Sequence, residues 1–507
     1  MQNLIKITFL LFSLFPNFIF GQTNFYKIYT NNGYDIGQGI VQLEDSSYVI
    51  TGSSSSFKEG ASQAFLLEVD SLGKYIWSKD FGGDESEVGR RVLYKKNVGY
   101  FIAGYTNSIG KGGYDNYLAK TNEKGDLLWE KSYGGIGWEK VNDAVLLSDT
   151  TIIMVGQTNS GTAGNNNFNI IHTDQNGDTL WTKNYGSKGE DFATCIKMLN
   201  DSICIIGGQM YIEDSLKTKA YLICLNKNGK IKWEHYFGND GEYRINDLCI
   251  VGNDINVVGF RKNKIKDDFD GYAAKVNLNG GFLYEHAYST KGNESYEQIS
   301  KYSRLDKLYV AYNQELAGST FPIGKDLYFG RFSTELNYDN EALSISNTGD
   351  DIAGQIIPTS DGGAITVGYN SAFGTGGNNI FITKVGRNDV FPNTIGPQVL
   401  NSLVHLQSIQ EAENEISIYP NPISAEFNIE LPMNFEGKIE IRDITGKLVY
   451  EEIIEENNLG NLETKYALSL PNHIENGNYL ISIISNDFTI QRPFPQTIYF
   501  ERVTFVR

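Results

Sequence analysis

GKYIWSKDFGG (73–83), GDLLWEKSYGG (125–135), GDTLWTKNYGS (177–187), GKIKWEHYFGN (229–239) and GGFLYEHAY (280–288) are variants of one motif. Its anchors are Trp77, Trp129, Trp181, Trp233 and Tyr284, separated by 52, 52, 52 and 51 residues. Counting back 52 residues from Trp77 reaches Phe25 in FYKIY, which has the same aromatic-x-Lys-x-aromatic pattern. A second marker runs in phase: YVITG, YFIAG, IIMVG, ICIIG, INVVG and AITVG place glycine at 52, 104, 156, 207, 259 and 368, with LYVAY (308–312) filling the gap. A third apolar strand follows each, from AFLLEVD to IFITKVG.

The repeat therefore counts seven units between about residues 24 and 388. Each offers about four short β-forming runs divided by Gly, Asn and Asp turns, as a propeller blade does. A lone four-stranded sheet cannot bury both faces, so seven units stacked around an axis bury them between neighbours. A once-per-unit ring of this size fits a wedge between blades. A β-solenoid is the rival architecture, but its rungs are usually shorter. The FYKIY strand opens the first unit as its relatives open the later ones, and nothing in the repeat says whether a strand exchange closes the ring.

Composition agrees. The 507 residues include 53 Gly, 31 Tyr and 28 Phe, a mixture suited to strands and tight turns. The formal net charge of −18 disfavours nucleic acid and anionic lipid as partners. Residues 1–21, MQNLIKITFLLFSLFPNFIFG, have a positive start at Lys6, an apolar run and a small residue at Gly21, as a signal peptide does. No other stretch reaches membrane-spanning length, so the mature chain is expected to be soluble and outside the cytoplasm. Cys195, Cys204, Cys224 and Cys249 lack CxxC spacing and read as small buried hydrophobes, with a Cys195–Cys204 bridge as the alternative.

After about residue 388 the repeat stops. Residues 389–413 show no strand alternation and read as a linker with room for a helical turn or two. Residues 414–507 read as a second β domain, an immunoglobulin-like sandwich with alternating strands such as EFNIEL and KIEIRD. In it stand YPNP (Tyr419, Pro420, Asn421, Pro422), a strand-D-x-x-G-K-strand hairpin (Asp443, Gly446, Lys447), and NGNYLISI with Gly477 and Tyr479. These motifs, in this order, resemble the type IX secretion system C-terminal sorting domain, type A, of the Bacteroidota. The resemblance implies export across the outer membrane, recognition by the translocon, and release or attachment at the cell surface. The family usually ends soon after its last strand, whereas this chain continues with QRPFPQTIYFERVTFVR.

Chemistry is sparse. His172, His235, His286, His405 and His473 form no paired metal spacing, and His235 and His286 occupy the Lys position of the repeat. DQNGD (174–178) reads as a hairpin turn, since the rest of a calcium loop is missing. No catalytic, cofactor-binding or metal-binding residue is assigned, and no cofactor is expected. SIGKGGYD (108–115) and AFGTGGNN (372–379) are equivalent loops at one end of the propeller, where ligands usually bind. The function expected is a non-enzymatic surface or secreted propeller that binds a glycan or protein. The alternative is a polysaccharide-active glycosidase or lyase with carboxylates gathered at the axis.

Overall fold

The computed structural model describes residues 24–30, 33–57, 61–161, 165–238, 241–262, 268–289, 292–301, 307–316, 325–345, 349–371, 377–386, 398–401, 417–419, 426–430, 437–443, 448–454, 465–469, 477–485 and 496–505. All regular structure among them is β, and no helix is long and apolar enough to cross a membrane. The 1–21 leader, His405 and His473 lie outside the described residues.

Blade 1 is an antiparallel sheet of Asp35–Gln42, Tyr48–Ser54, Gln63–Val69 and Tyr75–Phe81 in sequence order. Five more four-stranded blades follow: blade 2 from Glu87–Lys95 to Leu127–Tyr133, blade 3 from Glu139–Leu146 to Thr179–Tyr185, blade 4 from Phe192–Asn200 to Ile231–Phe237, blade 5 from Glu242–Val251 to Phe282–Tyr288, and blade 6 from Gly292–Lys301 to Tyr338–Ile345. The first strand of each blade packs on the first strand of the next, and that of blade 7 (Asp351–Pro358) packs on that of blade 1. This is a seven-bladed propeller with the first strands innermost. The middle strands are buried on both faces, as in Gln63–Val69, while the outermost alternate towards solvent, as in Thr179–Tyr185.

The ring closes by strand exchange. Phe25–Thr30 pairs antiparallel with Asn379–Val385 and so becomes the fourth strand of blade 7. The anchor strand that opens each sequence unit is thus the last strand of a blade, and the sequence repeat is offset from the structural one. Tyr26 and Ile28 of that strand are buried with Tyr309, Phe329 and Phe381, so hydrophobic burial latches the first residues of the ring to the last.

Two expectations need correction. The 389–413 stretch is not free of strand: Gln398–Asn401 runs parallel to Lys27–Thr30 at the edge of blade 7. A four-residue strand with one partner needs no alternation, which hid it. In blade 4 the marker glycine is Gly208, not Gly207, because Gly208 pairs with Ala193 as Gly52 pairs with Gly37 and Gly104 with Gly89. A side chain there has no room, since a Cβ on Gly104 would lie 1.8 Å from the Val88 carbonyl.

From residue 402 the chain forms a separate unit. It contains a three-stranded sheet (Ser417–Tyr419, Glu426–Glu430, Lys465–Ser469) and a four-stranded one. In the latter, Gln496–Phe505 pairs with Gly477–Ser485, so the residues past the last motif join a sheet.

Candidate functional site at the propeller axis

The first strand of every blade carries a β-bulge at the same place. The extra residues are Gln38, Arg90, Asn142, Thr194, Asn246, Glu297 and Gly354. A bulge leaves one residue unpaired and turns it out of the ladder. All seven line one axial cavity of about 370 Å³.

Several of these residues also join the blades. Asn142 donates to the Ala193 carbonyl at 2.7 Å, Thr194 to the Ile245 carbonyl at 2.6 Å, and Asn246 to the Tyr296 carbonyl at 2.9 Å. The residue after the bulge does the same with the opposite polarity in alternate blades. Asp143 accepts from the Ile196 amide at 2.9 Å, Asp247 from the Ile299 amide at 3.1 Å, and Gln355 from the Ile40 amide at 2.8 Å. Lys197 bridges Asp143 and Asp247 at 3.8 and 3.0 Å. Burial alone would raise the Asp143 carboxyl, but Arg91, Lys197 and the Ile196 amide together hold it below its ordinary value.

The remaining charge is uneven. The lining contains Arg90, Arg91 and Arg244, and among the described residues Glu297 is its one carboxylate. Arg91 is paired with Asp143, but no carboxylate among the described residues lies within 4 Å of Arg90 or Arg244. Their partners are amides: Arg90 donates to Gln38 Oε1 at 2.6 Å, and Arg244 to Asn246 Oδ1 at 2.6 Å. Arg90 Nε is buried with no partner, and burial lowers the Arg90 pKa. Arg244 lies 4.6 Å from the Phe260 ring centroid and 5.9 Å from that of Phe192.

Outside the cavity lining, the strand that carries Asn142 also carries Lys140, and Trp138 stands just before it. Trp138, Lys140 and Asn142 alternate along one strand and its lead-in, which puts them on a common side. Lys140 Nζ sits 5.0, 4.7 and 5.2 Å from the ring centroids of Tyr105, Tyr114 and Trp138. Those rings meet edge to face, Tyr105–Tyr114 at 5.2 Å and Tyr114–Trp138 at 5.4 Å. Trp138 is 49% exposed and its neighbour Ile136 is 88% exposed. Burial and the nearby Arg90 guanidinium lower the Lys140 pKa. Tyr114 belongs to the 108–115 loop. The equivalent loop in blade 7 lies largely outside the described residues.

The anchors lie away from this site, on the outermost strands. Trp77 covers Gly125 of the next blade and Trp129 covers Gly177, so that an added Cβ would come within 2.6 and 2.8 Å of the rings. Trp181 Nε1 donates to the Lys227 carbonyl, Trp233 Nε1 to that of Leu278, and Tyr284 to Glu335. DQNGD is a turn in which Asp174 accepts from the amides of Asn176 and Asp178, each at 2.8 Å. The four cysteines are free and buried, and Cys204 pairs with Met198 rather than Cys195. Burial pushes the Cys204 thiol up to about 12. His172 is buried against Trp181, while His235 and His286 lie among outer-strand aromatics.

Sequence reasoning missed the axial residues, although a signal existed. Gln38, Arg90, Asn142, Thr194 and Asn246 recur every 52 residues, a repeat position that varies in identity while staying polar.

In the C-terminal unit, Tyr419 ends a strand paired with Glu426–Glu430, and Asp443 pairs with Tyr479 between neighbouring strands. Gly477 begins the strand that contains Tyr479. Pro420, Asn421, Pro422, Gly446 and Lys447 lie outside the described residues.

No curated protein matches the chain. Among solved structures, Sqt1 from Chaetomium thermophilum is similar at 12% identity, over 70% of this chain and 86% of that one, with a TM-score of 0.41. The β-propeller domain of the Trilobed protease from Pyrococcus furiosus is similar at 10% identity, over 72% and 96%, with a TM-score of 0.39. Residues 417–494 match the secretion system C-terminal sorting domain. The chain thus combines an all-β seven-bladed propeller with a sorting segment of the type IX secretion family, which marks it for export.

Proposed function

We propose that this is a non-enzymatic binding propeller of a Bacteroidota species, exported through the inner membrane by a signal peptide at residues 1–21 and then by the type IX translocon. The sorting domain, of type A and immunoglobulin-like, extends from about residue 414 and leaves the propeller secreted or attached to the outer-membrane surface. Its two antiparallel sheets support that reading. The ligand is an extracellular glycan or protein.

One observation supports binding above the rest: seven bulge residues, one per blade, converge on one open axial cavity. A glycosidase needs two carboxylates flanking the scissile bond. Here Glu297 lines the cavity, while Asp143 and Asp247 are taken up by Lys197 and by backbone amides.

The test is a glycan array probed with the full chain lacking residues 1–21, with the bound sugars checked by mass spectrometry for cleavage. Retention without product supports a binding protein. Released product overturns that reading and favours the polysaccharide-active alternative.

A further inference from the structure

We infer that the axial site takes an anionic saccharide, with the acid group held by Arg90 and a sugar ring resting on the aromatic surface around Trp138. This rests on the binding role proposed above and names its ligand class.

Three observations converge. First, Arg90 carries a full charge at the axis with only the neutral Gln38 amide as partner and with Nε unsatisfied. A part-buried guanidinium with no carboxylate among the described residues within 4 Å has room for a ligand anion, and it matches the planar, two-oxygen face of a carboxylate or the oxygens of a sulfate. Arg244 is a second cation on the same lining, hydrogen-bonded to an amide and with the Glu297 carboxylate acting on it from beyond 4 Å.

Second, the rest of the lining suits hydroxyl groups. Gln38, Asn142, Thr194 and Asn246 bring amide and hydroxyl groups into one cavity. Although Asn142, Thr194 and Asn246 each donate to a neighbouring blade, Gln38 Nε2 and Asn142 Oδ1 are not used in those bonds. The volume falls in the roughly 300–1,000 Å³ range of small-molecule sites. Third, Lys140 fixes Tyr105, Tyr114 and Trp138 from within, leaving half of the Trp138 surface free for the apolar face of a sugar. The arrangement also argues against long polyanions. The chain as a whole carries a net charge of −18, so a basic spot on an acidic molecule selects a short acidic ligand over nucleic acid.

The acid group could be a uronate carboxylate or a sulfate ester, and the experiment separates them. The full chain lacking residues 1–21 is titrated calorimetrically with trigalacturonate, with its methyl ester, and with a sulfated disaccharide. The same titrations are run on Arg90→Gln and Trp138→Ala. Binding of trigalacturonate or the sulfated sugar, at least tenfold weaker for the ester, supports the inference. Arg90→Gln should then lose roughly 10- to 100-fold, the worth of one charged hydrogen-bonded pair. Trp138→Ala should weaken anionic sugars without restoring the ester. Equal binding of the ester, or an unchanged Arg90→Gln, overturns the inference and leaves the binding role standing. Failure of both anionic sugars, with neutral sugars retained on the array, overturns it as well. Silence on the array and in every titration overturns the inference and the glycan reading of the binding role, and leaves a protein ligand.

Discussion

The Arg91 guanidinium, on the innermost strand of blade 2, donates to the Asp143 carboxylate of blade 3 at 2.7 Å, with both side chains almost fully buried. The contact joins two blades at the axis, and Asp143 extends it to Lys197 and the Ile196 amide of blade 4. Removing one member of a buried ion pair strands the others. Asp143→Ala is therefore expected to cost about 3–5 kcal/mol in urea unfolding. A loss below about 1 kcal/mol would show that the belt does not hold the ring.

Arg90 should behave in the opposite way. Its Nε is buried without a partner and no carboxylate among the described residues lies within 4 Å, Asp143 acting on it only from further off, so Arg90→Leu relieves a partly desolvated cation. The variant is expected to gain about 0.5–2 kcal/mol while losing ligand, the usual trade at a binding site. A destabilised Arg90→Leu would instead mark Arg90 as a structural residue.

The latch strand is expected to govern the stability of the ring. Ile28 is 0% exposed within the cluster that joins strand Phe25–Thr30 to blades 6 and 7. Ile28→Ala should cost about 2–5 kcal/mol. Limited proteolysis should then cut first near the two ends of the ring rather than within blades 2–5.

Gly104 faces the Val88 carbonyl so closely that any Cβ forces the backbone apart. Gly104→Ala should lower the thermal midpoint, with a loss of about 1–3 kcal/mol or more. An unchanged midpoint would mean that the bulge can shift freely.

His172 gives a pH signature. Burial lowers its pKa from the ordinary 6.5, so the unfolded chain takes up the proton more readily. Its contribution is full above pH 6.5 and is lost as pH falls through the lowered folded value. The stability difference between wild type and His172→Phe should accordingly shrink or reverse between pH 7 and pH 5. A difference independent of pH would show that His172 titrates as it does in water.

The fold was legible because each blade repeats one strand pattern every 52 residues or so, and repetition amplifies weak local signals. Trp77, Trp129 and Trp181 stood out because a large ring at a fixed phase is conspicuous. Turn chemistry was equally readable: DQNGD is a turn because an Asp side chain caps two amides locally.

The sequence by itself determined seven β units, their period and the place where they stop, since these follow from local propensity and from the need to bury two-faced sheets. Tertiary structure alone decided three things. Phe25–Thr30 belongs to blade 7 because the free edge of Asn379–Val385 offers it a ladder and a core, a pairing across more than 350 residues of chain. The short Gln398–Asn401 strand forms only because Lys27–Thr30 is already in place. The axial site exists because a bulge in each first strand turns one residue towards the axis. Bulges arise from pairing between strands, so no single strand announces them. Seven residues far apart in sequence became neighbours only when the ring closed.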